Sequence, residues 1–180
     1  MAKDFRLMGE KEISSIINKM ALEVLKSKEN IENTAFIGII KRGDIIAKRV
    51  AEIVEKRENL KIPIGKIDIN LYRDDLSIID YHPQVFSTDI GFDLNDKIIY
   101  LFDDVFFTGR TIRSALNEIM DFGRPKKIYL YVLINRVSAE LPIKPDFSGS
   151  DLSIPKNRIV NVKLKEIDSE DEITLVKEDN

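Results

Sequence analysis

The sequence predicts an α/β fold, a mostly parallel twisted sheet flanked by helices. Two observations predict it. Short apolar runs with strand character alternate along the chain with amphipathic helical stripes. Two of those runs, Ala35–Ile40 and Ile98–Phe102, are apolar on every residue apart from one glycine. Continuous apolarity marks strands covered on both faces, and parallel sheets are built that way.

Each element follows in order. Ile13, Ile16, Ile17, Met20, Ala21, Val24 and Leu25 recur at helical spacing and form one stripe. Thr34–Ile40 reads as a buried strand, broken by Lys41-Arg42-Gly43. A second helix carries Ile46, Val50, Ile53 and Val54, with Ala47 and Ala51 beside them. Lys61 to Tyr72 reads as a strand with imperfect alternation. Arg73 to Asp96 is long, polar and aperiodic, the profile of a lid or binding loop, with Tyr81–Phe86 as one arm of a hairpin. Lys97–Phe102 is a buried strand that ends at Asp103-Asp104. A helix with Ile112, Ala115, Leu116, Ile119 and Met120 stops at Gly123-Arg124-Pro125. Lys127–Ile134 is a further strand, and Ile159–Leu164 and Ile173–Val176 are two short ones. Tyr129 and Tyr131 alternate along their strand, as packing residues do.

The 180 residues suit one domain, 1–180. With 43% hydrophobic and 33% charged residues the composition is globular. Absence of cysteine excludes disulfides and thiolate metal sites. His82 is the single histidine, so a Ser-His-Asp triad would depend on it; a turn histidine before a proline is the plainer reading. Met1–Glu12 is charged and no apolar run reaches membrane-spanning length, so a cytoplasmic location and no membrane partner are expected. A net charge of -3 counts against nucleic-acid binding as the main task, and DNA is not an expected partner. The acidic run Asp168, Glu170, Asp171, Glu172 reads as a solvated loop rather than a metal site.

Ligands of open parallel sheets bind at the carboxyl ends of the strands, where strand order reverses. One such end carries a distinctive run: an apolar strand, Asp103-Asp104, then Thr108-Gly109-Arg110-Thr111 opening a helix. A helix N-terminus offers unpaired N–H groups and a positive dipole end to a phosphate. Gly109 lets the backbone approach closely, and Thr108 and Thr111 add hydroxyl donors. Carboxylates just upstream accept hydrogen bonds from vicinal sugar hydroxyls and favour a nearby cationic carbon. Either half alone is a turn or a helix start; the whole run in that order is specific.

Ile99–Thr111 resembles the phosphoribosyl-pyrophosphate (PRPP) motif of type I phosphoribosyltransferases. The chain is more closely similar to the PyrR family, bifunctional pyrimidine-operon attenuators with uracil phosphoribosyltransferase activity. Gly38–Gly43, Ile67–Leu76, Gly123-Arg124-Pro125 and Glu140-Leu141-Pro142-Ile143 carry that likeness, which runs from about Met8 to Glu178.

The resemblance implies a type I phosphoribosyltransferase fold with a flexible lid loop and a small hood built from the termini. It implies transfer of phosphoribose from PRPP to uracil, giving UMP and pyrophosphate. Asp103 and Asp104 would bind the ribose hydroxyls, with Arg73 as a further catalytic group. Thr108, Gly109, Arg110 and Thr111 would hold the 5-phosphate. Lys41, Arg42 and Gly43 would form the pyrophosphate loop, which often holds a non-proline cis peptide in this superfamily. Tyr72, Arg73 and Asp74 would belong to the lid, and Ile134, Asn135 and Arg136 to the nucleobase pocket. Mg²⁺ would be bound mainly through PRPP, with no direct protein ligand. A homodimer or homotetramer is implied, and RNA is implied as a partner.

Departures from the family pattern are local. Asn135-Arg136-Val137-Ser138-Ala139-Glu140 stands where the family has Asp-Arg-Gly-His-Arg-Glu, and Phe107 stands for Tyr. In the first helix Asn18, Leu22 and Ser27 replace Thr, His and Arg, and Glu23 and Glu29 offset the neighbouring lysines. The first set bears on base choice, which leaves salvage of hypoxanthine or guanine as an alternative. The second bears on RNA, and a UMP- or PRPP-sensing attenuator without significant catalysis is a third reading. A catalytically silent interaction protein fits the intact motif poorly.

Overall fold

A computed structural model describes residues 5–27, 29–69, 88–155 and 157–177. In chain order the elements are β1 (Phe5–Gly9), α1 (Glu10–Lys26), β2 (Thr34–Ile39), α2 (Gly43–Glu58), β3 (Ile64–Ile67) and β4 (Ile98–Phe106). They continue with α3 (Arg110–Phe122), β5 (Lys127–Asn135), β6 (Phe147–Asp151), β7 (Arg158–Lys163), α4 (Lys165–Asp168) and β8 (Glu172–Lys177).

The central sheet has five strands in the order β3-β2-β4-β5-β6, all parallel. Every residue of β2 is buried, as its unbroken apolarity requires. Side chains alternate between the sheet faces and divide the core in two. Phe36, Tyr100, Phe102, Tyr131 and Leu133 pack with the apolar stripes of α1 and α2. Ala35, Ile37, Ile99, Leu101, Leu130 and Val132 pack with Ile112, Ala115 and Ile119 of α3. The first layer is aromatic: Tyr131 lies edge-on to Tyr100 and Phe102 and tilted against Phe147, with centroids 5.3–5.8 Å apart. Tyr131 is thus a packing residue, and burial pushes its hydroxyl pKa up.

A second, antiparallel sheet, β1-β8-β7, forms a hood with α4. Val162, Leu164 and Ile173 of the hood join the α1/α2 core. Arg49 of α2 bonds Glu166 and Asp171 at 2.6–2.9 Å, tying the hood down.

Several sequence expectations change. β4 does not end at Phe102: it continues through Asp103-Asp104 to Phe106, because β5 supplies a paired partner as far as Asn135. The strand predicted over Lys61–Tyr72 is regular only at Ile64–Ile67; Ile62 and Ile69 are buried outside it, and Asn70–Tyr72 lie outside the described residues. The hairpin arm Tyr81–Phe86, with His82, also lies outside them. β1 and β6 were not foreseen, since Phe-Arg-Leu-Met-Gly and Phe-Ser-Gly-Ser-Asp carry too little apolar pattern. Gly149 marks β6 in retrospect, because a Cβ there would meet Leu133 O at 2.7 Å. The acidic run is solvated only in part: the Glu170 side chain is exposed, but that of Asp171 is 5% exposed and ion-paired to Arg49.

Candidate functional site at the strand-order reversal

From β2 the strand order runs to β3 on one side and to β4 on the other, so the reversal lies between β2 and β4. The loop after β2 and the turn after β4 flank that crevice. Two glycines bring them together. A Cβ on Gly38 would lie 2.2 Å from Asp44 Cα, and one on Gly43 would lie 2.2 Å from Phe102 O. Only glycine permits the start of α2 to sit on the β4 backbone, just upstream of the acidic pair. The loop contains Lys41 and Arg42, and the Ile40–Lys41 peptide is cis.

Asp103 is 6% exposed and Asp104 half-buried, both in the last four residues of β4. Asp103 Oδ1 accepts a bond from Asp104 N at 2.9 Å, and Asp104 Oδ1 accepts one from Val105 N at 2.8 Å. Each carboxylate is therefore aimed by its own backbone. Five residues after Asp104, Gly109 takes φ 92 and caps α3 with no side chain, followed by Arg110 and Thr111. The left-handed backbone is what turns the chain from strand to helix within Phe107–Gly109. Arg110 N donates to Thr108 Oγ1 at 3.3 Å, and the Arg110 guanidinium pairs with Glu140 at 3.3 Å.

Residues after β5 run alongside this turn. Arg136 N donates to Phe106 O and Glu140 N to Thr108 O, both at 2.9 Å. Arg136 is 5% exposed, lies 3.8 Å from the Phe107 ring centroid and donates to Pro155 O at 3.1 Å. It cross-links the phosphate-side turn to the segment leading into the hood. Asn135 is also engaged: Nδ2 donates to Asp151 Oδ1 at 3.0 Å, and Oδ1 accepts from Val137 N at 3.0 Å. Ser148 Oγ donates to the same Asp151 oxygen. Ile134 is fully buried in the α1/α2 core. Val137 has φ 51 and is 62% exposed, a left-handed β-branched residue at the place of the family's glycine.

On the α2 side, Asp44 is half-buried and burial raises its carboxyl above the ordinary range. Among the predicted residues, the structure gathers Lys41, Arg42, Gly43, Asp103, Asp104 and Thr108–Thr111 around one crevice, with Asn135 and Arg136 at its β5 edge; the Ile134 side chain, expected in the nucleobase pocket, is in the core instead. The lid residues Tyr72, Arg73 and Asp74 lie outside the described residues. Asp168 was missed: it pairs with Arg42 across the hood contact. No local signal marks it, because Arg42 and Asp168 are 126 residues apart and only the fold brings them together.

The fold and this crevice define a nucleotide-type phosphoribosyltransferase. Residues 9–167 match the family model described as the phosphoribosyl transferase domain, and the chain belongs to that family. Structural neighbours agree on the fold. A hypoxanthine-guanine phosphoribosyltransferase from Bacillus anthracis superposes with TM-score 0.69 at 14% identity, covering 97% of this chain and 98% of its own. A purine phosphoribosyltransferase from Pyrococcus horikoshii gives 0.61 at 23%, covering 83% and 88%. Sequence relatives narrow the class. The bifunctional protein PyrR of Thermus aquaticus is 44% identical over 94% of this chain and 93% of its own length. That of Clostridioides difficile is 42% identical over 97% and 99%. The chain is a phosphoribosyltransferase of the PyrR family.

Proposed function

We propose that this protein transfers phosphoribose from PRPP to uracil, forming UMP and pyrophosphate. The observation that carries the reading is the meeting of the acidic pair, the Gly109 helix start and the Lys41–Gly43 loop at one strand-order reversal. The 44% identity to a PyrR protein supports uracil as the base.

Each part has a role in displacement at the anomeric carbon. The α3 N-terminus, with Thr108 and Thr111, holds the 5-phosphate. Asp103 and Asp104 accept the ribose hydroxyls and favour the positive charge that develops on the ring. Their backbone bonds fix the carboxylates before substrate arrives, so little reorganisation is needed. Lys41 and Arg42 face the departing pyrophosphate. Tyr72, Arg73 and Asp74 serve a lid that excludes water, with Arg73 as a further catalytic group. Mg²⁺ would be held mainly by PRPP oxygens and water, with no direct protein ligand and with the acidic pair of β4 close by. When bound, Mg²⁺ supplies charge neutralisation of the diphosphate.

The base sits at the carboxyl end of β5. With the Ile134 side chain in the core and the Asn135 amide bonded to Asp151 and Val137, recognition there falls to backbone groups of this segment and the remaining amide capacity. Arg136 holds the segment in place. The relatives are named bifunctional, which supports a second, RNA-binding regulatory role; the helix departures at Asn18, Leu22 and Ser27 weigh against it. We place the protein in the cytoplasm as a homodimer or homotetramer; no described helix is long and apolar enough to cross a membrane.

Purified protein with PRPP, Mg²⁺ and a panel of bases tests the reading. UMP and pyrophosphate should form from uracil, with turnover reduced at least about 100-fold in Asp104→Asn. Preference for hypoxanthine or guanine would replace uracil and place the change in Asn135–Ala139. Turnover with none of the bases would remove the enzymatic reading.

A further inference from the structure

Two arginines on one face of α2 meet the hood, and they are held differently. Arg49 makes four bonds of 2.6–2.9 Å to Glu166 and Asp171. Arg42 makes a poor pair: its Nη2 lies 3.3 Å from each oxygen of Asp168. Charge-assisted bonds of this type normally close to about 2.7–2.9 Å. The Arg42 Nε is moreover buried without a hydrogen-bond partner, an unfavourable state for an N–H group. Asp168 itself does not depend on Arg42, because its Oδ2 accepts Leu164 N at 2.9 Å within α4.

A guanidinium with one shared, long contact and one orphaned donor is better satisfied by another anion. Resting on the reading of Lys41–Gly43 as the pyrophosphate loop, we propose that Asp168 is a positioning residue that parks Arg42 in the empty enzyme and competes with diphosphate for it. On arrival of a diphosphate group the guanidinium turns from Asp168 to the phosphate oxygens, and Nε gains a partner. When pyrophosphate leaves, Arg42 returns to Asp168. The hood stays in place throughout, because the Arg49 bonds are separate and short. A parked cation lowers apparent diphosphate affinity by the fraction of enzyme in the parked state. A partly buried pair with contacts this long, its side chains 26% and 22% exposed, accounts for about a two- to five-fold effect.

Asp168→Asn tests this, since the amide oxygen can still accept Leu164 N while the charge is lost. Titration calorimetry with inorganic pyrophosphate plus Mg²⁺ and, separately, with UMP gives the readout. The variant should bind pyrophosphate about two- to five-fold more tightly and UMP with unchanged affinity. Asp168→Glu should return pyrophosphate binding toward the wild-type value. Unchanged or weaker pyrophosphate binding in Asp168→Asn, or an equal shift for both ligands, overturns the proposal while leaving the enzyme reading intact. A wild-type protein that binds neither ligand overturns the enzyme reading and the proposal together.

Discussion

The turns after β4 and β5 are neighbours, yet they treat the same backbone problem in opposite ways. Both pass through a left-handed residue. After β4 it is Gly109 at φ 92, where no side chain is strained. After β5 it is Val137 at φ 51, where a β-branched side chain is forced into a region such residues avoid. The phosphate-side turn keeps the family's Thr108–Thr111 run, with Phe107 in place of Tyr, and an unstrained backbone at Gly109. The base-side turn keeps the geometry but not the residue. The shape of the segment is thus imposed by its surroundings: Arg136 clamped on Phe107, Asn135 bonded across to Asp151, and Glu140 N bonded to Thr108 O.

The largest test of this contrast is Gly109→Ala. Its Cβ would meet only ordinary contacts of 3.5–3.7 Å, so any loss comes from the backbone. About 2 kcal/mol of stability should go, read by urea denaturation, and the apparent KM for PRPP should rise at least about tenfold. The reverse change, Val137→Gly, should stabilise by about 1 kcal/mol in the same assay, because glycine relieves the left-handed valine at some cost in unfolded-chain entropy. Loss of stability there would mean that the Val137 side chain makes contacts that outweigh its strain.

A smaller effect is expected at Asn135. Asn135→Asp restores the family residue but puts a second carboxylate 3.0 Å from Asp151, replacing a hydrogen bond with repulsion. At pH 7 that should destabilise by up to about 1 kcal/mol, and the loss should vanish in an Asn135→Asp, Asp151→Asn double variant. PRPP affinity should be unaffected, which separates the two turns functionally.

The smallest effect concerns the hood. Arg49 holds the Glu166 and Asp171 carboxyls below their ordinary values of 4.5 and 3.8. Groups with depressed folded values contribute stability above the unfolded values and lose it as pH falls through the folded ones. Amide exchange in β7 and β8 should therefore accelerate selectively below about pH 4, and the α3 amides should serve as the unaffected reference. Equal acceleration in both would show that the Arg49 contacts do not set hood stability.

Much of the site was legible from local order. Asp103-Asp104 and Thr108–Thr111 are consecutive in the chain, and a strand end followed by a glycine-capped helix confines them to one place. Lys41-Arg42-Gly43 was legible locally only as the break after a buried strand; its part in a pyrophosphate loop came from the family resemblance. What could not be read was anything that depended on a distant partner. The edge strands β1 and β6 lack apolar pattern and exist because β8 and β5 offer them a ladder. β4 runs past its apolar stretch because β5 does.

The acidic tail is the sharpest case. By itself Lys165–Glu172 is a charged stretch like many solvated ones; only the folded chain sets it against Arg42 and Arg49, 126 and 122 residues away for Asp168 and Asp171. The sequence by itself determined the alternating elements, the two apolar faces of the sheet and the phosphate-side turn, because periodicity and glycine placement act over a few residues. Tertiary structure decided which polar groups were consumed in pairing, the engagement of Asn135, Arg136 and Asp168 above all, because a side chain's partner is set by what the fold brings beside it.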